Sequence, residues 1–160
     1  MFAFLVNLLE RQNRLMEDLI HLGREEMTAL KDNDMDALAR VTREQEQASR
    51  QLVIIEGERV EVQHRLGQTL DLGSGLTLGD VLPYAGGEYR ESLMGIADTL
   101  RRNYAQLQEL NEINKLLIRQ SLGYINRLLQ AMVPTENLTY GSMGQVGTGA
   151  GGTSLIDRTV

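Results

Sequence analysis

The spacing of apolar residues before Pro134 constrains this chain more than any other feature. From Leu93 onward the sequence sets Ile96, Leu100, Asn103, Leu107, Leu110, Asn114, Leu117, Ser121, Tyr124 and Leu128 at alternating steps of three and four. A helix gathers such positions on one stripe, whereas a strand would scatter them over both faces. The run predicts a helix over about residues 88–132, ending before Pro134, whose ring and missing N–H oppose continuation. Two earlier segments repeat the pattern. One carries Leu5, Leu8, Gln12, Leu15, Leu19 and Leu22. The other carries Leu38, Val41, Gln45, Ala48, Leu52, Ile55, Arg59, Val62 and Leu66.

The breaks between segments are equally legible. Asp32, Asn33 and Asp34 supply turn and N-cap side chains, so the first two helices are expected over about 2–31 and 35–70. Between 72 and 87 the pattern dissolves into a connector punctuated by Gly73, Gly75, Gly79, Pro83, Gly86 and Gly87. Within it Thr77 and Asp80 have capping-box spacing and predict one helical turn around Leu78, Val81 and Leu82. The fold class expected is all-α: an elongated antiparallel three-helix bundle with coiled-coil-like packing over residues 1–132. Gln12, Gln45, Arg59, Asn103 and Asn114 interrupt the apolar stripes, and polar groups at such positions fix register. Counting outward from the turn at Asn33 predicts that Gln45 and Asn114 share one level, and Gln12, Arg59 and Asn103 another.

Composition removes whole classes of function. Of the residues, 42% are hydrophobic, 24% charged and only 4% aromatic, which suits a folded helical chain. The formal charge of -6 offers nothing to a phosphate backbone, so nucleic acid is not an expected partner. There is no cysteine, hence no disulfide framework and no thiolate metal site. The apolar run from Phe2 to Leu9 lacks a basic flank and is followed by Glu10 and Arg11, unlike a secretory signal. No segment approaches the roughly 20 apolar residues of a membrane span. A cytoplasmic protein without membrane insertion is expected.

Chemistry has no visible centre. Gly147, Gly149 and Gly152 match a dinucleotide-binding pattern, but no strand precedes them and no helix with an acid about 20 residues on follows. His21 and His64 lie on different helices, and neither has a second histidine four residues away. Glu25, Glu26, Glu44, Glu46, Glu56, Glu58 and Glu61 are expected on the solvent faces of the helices, and no two E-x-x-H motifs pair inward as in a di-metal bundle. No catalytic, cofactor-binding or metal-binding residue is assigned, and the chain is read as a non-enzyme.

One feature exceeds structural need. Ile118, Leu122, Ile125, Leu129 and Met132 form a second three-four stripe beside the first, where the earlier neighbours Arg101, Tyr104, Gln108, Asn111 and Lys115 are mostly polar. The third helix is also expected to outlast the other two by about 15 to 20 Å at 1.5 Å per residue. The stripe is read as partner-binding surface. The competing reading packs it on Met16, Ile20, Met27 and Leu30 of the first helix. Residues 133–160 are rich in Gly, Ser, Thr and Asn and are expected to form a flexible tail. Tyr140 and the Leu155-Ile156 pair are its candidate contacts, in a tethered binding element or in a plain disordered terminus.

The architecture resembles the FlgN-like family of flagellar export chaperones. The resemblance is carried by the Leu-rich first helix, Asp34-x-Asp36-x-Leu38, Glu58-Arg59, Thr77-Leu78, Asn111-x-x-Asn114-x-x-Leu117, Ser121-Leu122-x-Tyr124, Thr139-Tyr140-Gly141 and the ending Leu155-Ile156-Asp157-Arg158. It implies a cytoplasmic type III export chaperone whose clients are the hook-filament junction proteins FlgK and FlgL. It further implies delivery to the export gate and client binding through the C-terminal region. The alternative is a helical scaffold or adaptor subunit with no chaperone role.

Overall fold

The computed structural model describes residues 1–73 and 76–132. These are helical, with no strand among the described residues: α1 (Phe2–Asp32), α2 (Met35–Thr69), α3 (Leu78–Val81) with a 3-10 turn (Leu82–Tyr84), and α4 (Gly87–Met132). Beside the three long helices expected, the helical turn expected in the connector makes a fourth. The additional one is the single turn opened by Thr77 in the connector. The expected glycine-rich tail lies outside the described residues.

Local chemistry explains each boundary. α1 ends because Asn33 takes a left-handed conformation, φ 55°, which asparagine tolerates better than most side chains. The amides of Asn33 and Asp34 both donate to the Ala29 carbonyl, and the Asp34 carboxylate accepts the Ala37 amide at 2.9 Å. Two residues therefore reverse the chain. In the connector, the Asp80 carboxylate accepts the Thr77 hydroxyl and the Thr77 amide at 2.7 Å each, and these bonds hold Asp80 below the usual carboxylate range.

Side-chain pairs fix the directions. Arg40 reaches Glu25 near the turn, and Gln12 and Arg11 reach Glu56 and Glu58 at the far end, so α1 and α2 are antiparallel. Asn103 donates to Asn13 at 2.8 Å and Asn114 to the Gly23 carbonyl at 2.8 Å, so α4 runs in the direction of α1. Gly23 lets α4 approach. A methyl group there would lie 2.6 Å from Leu110 Cδ2.

The core gathers where α1 begins and α2 ends. Leu5, Leu8 and Leu9 meet Ile55, Val62 and Leu66, with Leu93 of α4 completing the cluster. Val81 and Ala85 of the connector join them, so the segment after α2 covers this part of the core instead of merely bridging helices. It is tied down by Gln63, whose amide donates to the Leu76 carbonyl at 2.6 Å, and by Leu76 seated on Gly67. Each wholly buried leucine is worth about 1.5–3 kcal/mol. Phe2 and Tyr89 stack at 6.5 Å beside the cluster. The chain divides into two compact units, residues 1–124 and 125–160. In the second, the described residues 125–132 are the last two turns of α4.

Candidate partner-binding surface

The polar residues in the stripes fall into the two expected levels. At the first, the Glu26 carboxylate accepts Gln45 Nε2 at 2.9 Å and Asn114 Nδ2 at 2.8 Å, so one oxygen of α1 receives α2 and α4 together. At the second, Glu56 accepts Gln12 Nε2 at 3.1 Å and the Arg59 guanidinium at 2.5 and 2.8 Å. Asn103, bonded to Asn13, lies beside them. The Arg59 hydrogen bonds hold the Glu56 carboxyl below its ordinary range against the opposing effect of burial. Arg59 also donates to Gln63.

These levels mark how far the interior of α4 extends. Its buried residues are Leu93, Leu110 and Asn114, and after Asn114 no described residue of the helix is buried. Tyr124 and Leu128 continue the spacing of the main stripe yet are exposed. In the first unit, Ile118 is 37% and Leu122 55% exposed. In the second, Ile125 is 48%, Leu129 57% and Met132 77% exposed. Of the four α1 residues in the competing reading, Met16, Ile20 and Leu30 are buried and Met27 is half-buried, while Ile118 and Leu122 are exposed. Tyr140, Leu155 and Ile156 lie outside the described residues.

Other exposed apolar side chains were not singled out by periodicity. Val53, Ile54 and Val60 stand on the outer face of α2, and Tyr104, Ile113 and Leu116 on α4. The signal was present. Val53, Gly57 and Val60 also follow a four-three step, but the glutamates around them read as an ordinary solvated face. His21 pairs with Glu25 at 3.0 Å, and His64 is exposed.

Alongside the Glu26 level the first unit carries an open cleft of about 500 Å³. Leu19 and Leu107 give it apolar wall, Gln45 and Ser49 of α2 form one side, and Asn111, Lys115 and Arg119 of α4 form the other. Among the described residues no group of three or more His, Asp or Glu is placed to hold a metal ion. No helix among them is long and apolar enough to cross a membrane. In the first unit the geometry offers the exposed Ile118 and Leu122 and an open cleft that Ile118 also lines.

The model of the FlgN protein family matches residues 1–148 of the chain. The chain belongs to the FlgN family. FlgN proteins are flagellar export chaperones, and the family is not an enzyme family. The chain is also similar to the uncharacterized protein YvyG of Bacillus subtilis (strain 168), with 23% identity over 133 residues, covering 83% of this chain and 81% of that relative. No solved structure matches. The FlgN match spans all four helices and the residues of both polar levels.

Proposed function

We propose that this FlgN-family protein is a cytoplasmic chaperone of type III flagellar export, holding the hook-filament junction proteins FlgK and FlgL before secretion. It binds their terminal helical segments, keeps those segments from associating early, and hands them to the export gate. The working body is the antiparallel, coiled-coil-like bundle of α1, α2 and α4 within residues 1–132. Client contact falls on Ile118, Leu122, Ile125, Leu129 and Met132, with Tyr140 and the Leu155-Ile156 pair as secondary contacts.

The observation that carries this reading is the exposure of those five apolar side chains at helical spacing on one element. An amphipathic client helix offers a complementary stripe, and its burial needs no change in the buried core. The test is co-purification with FlgK and with FlgL from the same organism, with flagellin as negative control. Changing Leu122 and Leu129 together to serine is expected to weaken client binding at least about tenfold, since burying one leucine is worth about 1.5–3 kcal/mol. Circular dichroism of the free variant should stay helical and its unfolding cooperative. An unfolded variant, together with loss of binding on deleting residues after Met132, would move the site to the tail.

Exposed Val53, Ile54 and Val60 favour a second reading, a scaffold subunit that uses α2 for a permanent interface. A dimer whose mass is independent of concentration, and which ignores both junction proteins, would establish it.

A further inference from the structure

The outer face of α2 combines three observations that the folding of one chain does not explain. Val53 is 73%, Ile54 62% and Val60 52% exposed, while Ala48, Ile55 and Val62 form the buried stripe on the other side of the helix. Among these exposed residues stands Gly57, and a methyl group placed on it would meet nothing within 4 Å among the described residues. Glycine inside a helix costs stability, and here no described neighbour needs its small size. It opens a gap in the face through which a second helix can come close.

The third observation is the order of charge along the same face. Glu46 pairs with Arg50 at 3.3 Å before the apolar residues, and Glu61 with Arg65 at 2.7 Å after them. In both pairs the glutamate comes first. A second α2 laid antiparallel on this face therefore brings its Glu61 opposite Arg50 and its Arg65 opposite Glu46. Laid parallel and in register, it would set like charges together. All four side chains are more than half exposed, and ion pairs of that kind exchange partners at little cost.

We infer that the outer face of α2 is a self-association surface, on which two copies of the chain pair antiparallel about a two-fold axis near Gly57. Val53 of one copy meets Val60 of the other, and each Ile54 lies over the other copy's Gly57. The charged residues close both ends with the ion pairs just described. All these partners fall within about one helical turn of a single register. The pattern repeats under the two-fold exchange, so association closes at two chains. About five turns of helix offer less than the roughly 1,200 Å² of a standard interface, so the dimer is reversible, with a Kd on the order of 10–100 μM. Reversibility separates it from a permanent scaffold interface. The inference goes beyond the chaperone reading and stands without it, because the stripe proposed for clients begins on another helix, α4.

The experiment is sedimentation equilibrium of the full chain from about 5 to 500 μM, over which the native mass should rise from one chain towards two. Arg50→Glu is expected to weaken association at least about tenfold, and Arg50→Glu/Glu61→Arg to recover it, since the reversed charges are again opposite only in the antiparallel pair. Gly57→Lys should be a monomer throughout, with helicity by circular dichroism at least that of the native chain. Because the chain has no cysteine, Thr42→Cys takes a single nitroxide label. Pulsed electron paramagnetic resonance of the dimer should place the two labels about 40 Å apart, since residue 42 of one copy lies level with about residue 70 of the other. A native mass of one chain at every concentration, or association untouched by both Arg50→Glu and Gly57→Lys, overturns the inference. So does a double charge reversal that stays monomeric, or labels within about 20 Å, the parallel result. A mass of two chains throughout replaces the reversible dimer with the permanent interface.

Discussion

Leu93 and Leu122 occupy one helix about eight turns apart, and both follow three-four spacing, yet one is wholly buried and the other 55% exposed. The difference lies in what surrounds them. Leu93 meets α1, α2 and the connector in one cluster, a closure that begins with Leu5 and Val81. Beyond Asn114 no residue of α4 is buried. An apolar stripe states that a helix seeks partners. Whether the partner belongs to the same chain is decided by the neighbouring segments.

The contrast is most open to attack at Leu93 itself. Leu93→Ala should destabilise the protein by about 2–5 kcal/mol in chemical denaturation, whereas Leu122→Ala should stay within about 0.5 kcal/mol. Equal losses at the two positions would erase the distinction. The buried section of α4 ends on Asn114, so the Glu26 level tests where it stops. Glu26→Leu strands Gln45 Nε2 and one hydrogen of Asn114, and a loss of about 1–3 kcal/mol is expected. A neutral result would mean that water replaces the carboxylate and the level is not sealed.

Gly23→Ala probes the same border with a smaller effect. Its methyl meets Leu110, while the gain in helix propensity offsets about 0.8–1 kcal/mol, leaving a net loss of about 1 kcal/mol. That loss should vanish in the Leu110→Ala background, which a double-mutant cycle reads directly. The smallest effect concerns Glu56, whose carboxyl is held low by Arg59. A lowered folded pKa gives stability that is present above the ordinary value of 4.5 and lost as pH falls through the folded one. Because the glutamate side chain is 43% exposed, the contribution should stay below about 1 kcal/mol. Glu56→Gln should therefore narrow the drop in Tm between pH 6 and pH 3. An unchanged drop would remove Glu56 from the acid response.

Helix boundaries were legible in the sequence because short-range chemistry sets them: Asp34, the Thr77-Asp80 pair and the glycines act within a few residues. The polar levels were legible by counting, since a two-residue reversal at Asn33 and Asp34 leaves little freedom of register. Other features depend on contacts distant in the chain. Spacing could not reveal that Val81 and Ala85 enter the core, that Gly23 accommodates Leu110, or that Tyr124 leaves the interior despite continuing the main stripe. The candidate stripe was readable as five residues, whereas the cleft beside it exists only once α2 and α4 are side by side.

The cluster that closes the core draws on residues 5–9, 55–66, 81, 85 and 93. During synthesis α1 and α2 can pair as soon as Thr69 has emerged, but their hairpin then leaves Leu5 and Leu8 without the cover that Val81 and Leu93 bring. A half-made chain is itself a molecule with an unfilled apolar groove, of the kind that misassembles when crowded. Once residue 93 has arrived, this cluster is closed before most of α4 exists. The turns of that helix beyond Leu100 are thus free to change in sequence at little cost to the cluster, and surfaces that must follow a changing partner are best built from such late, uncommitted turns.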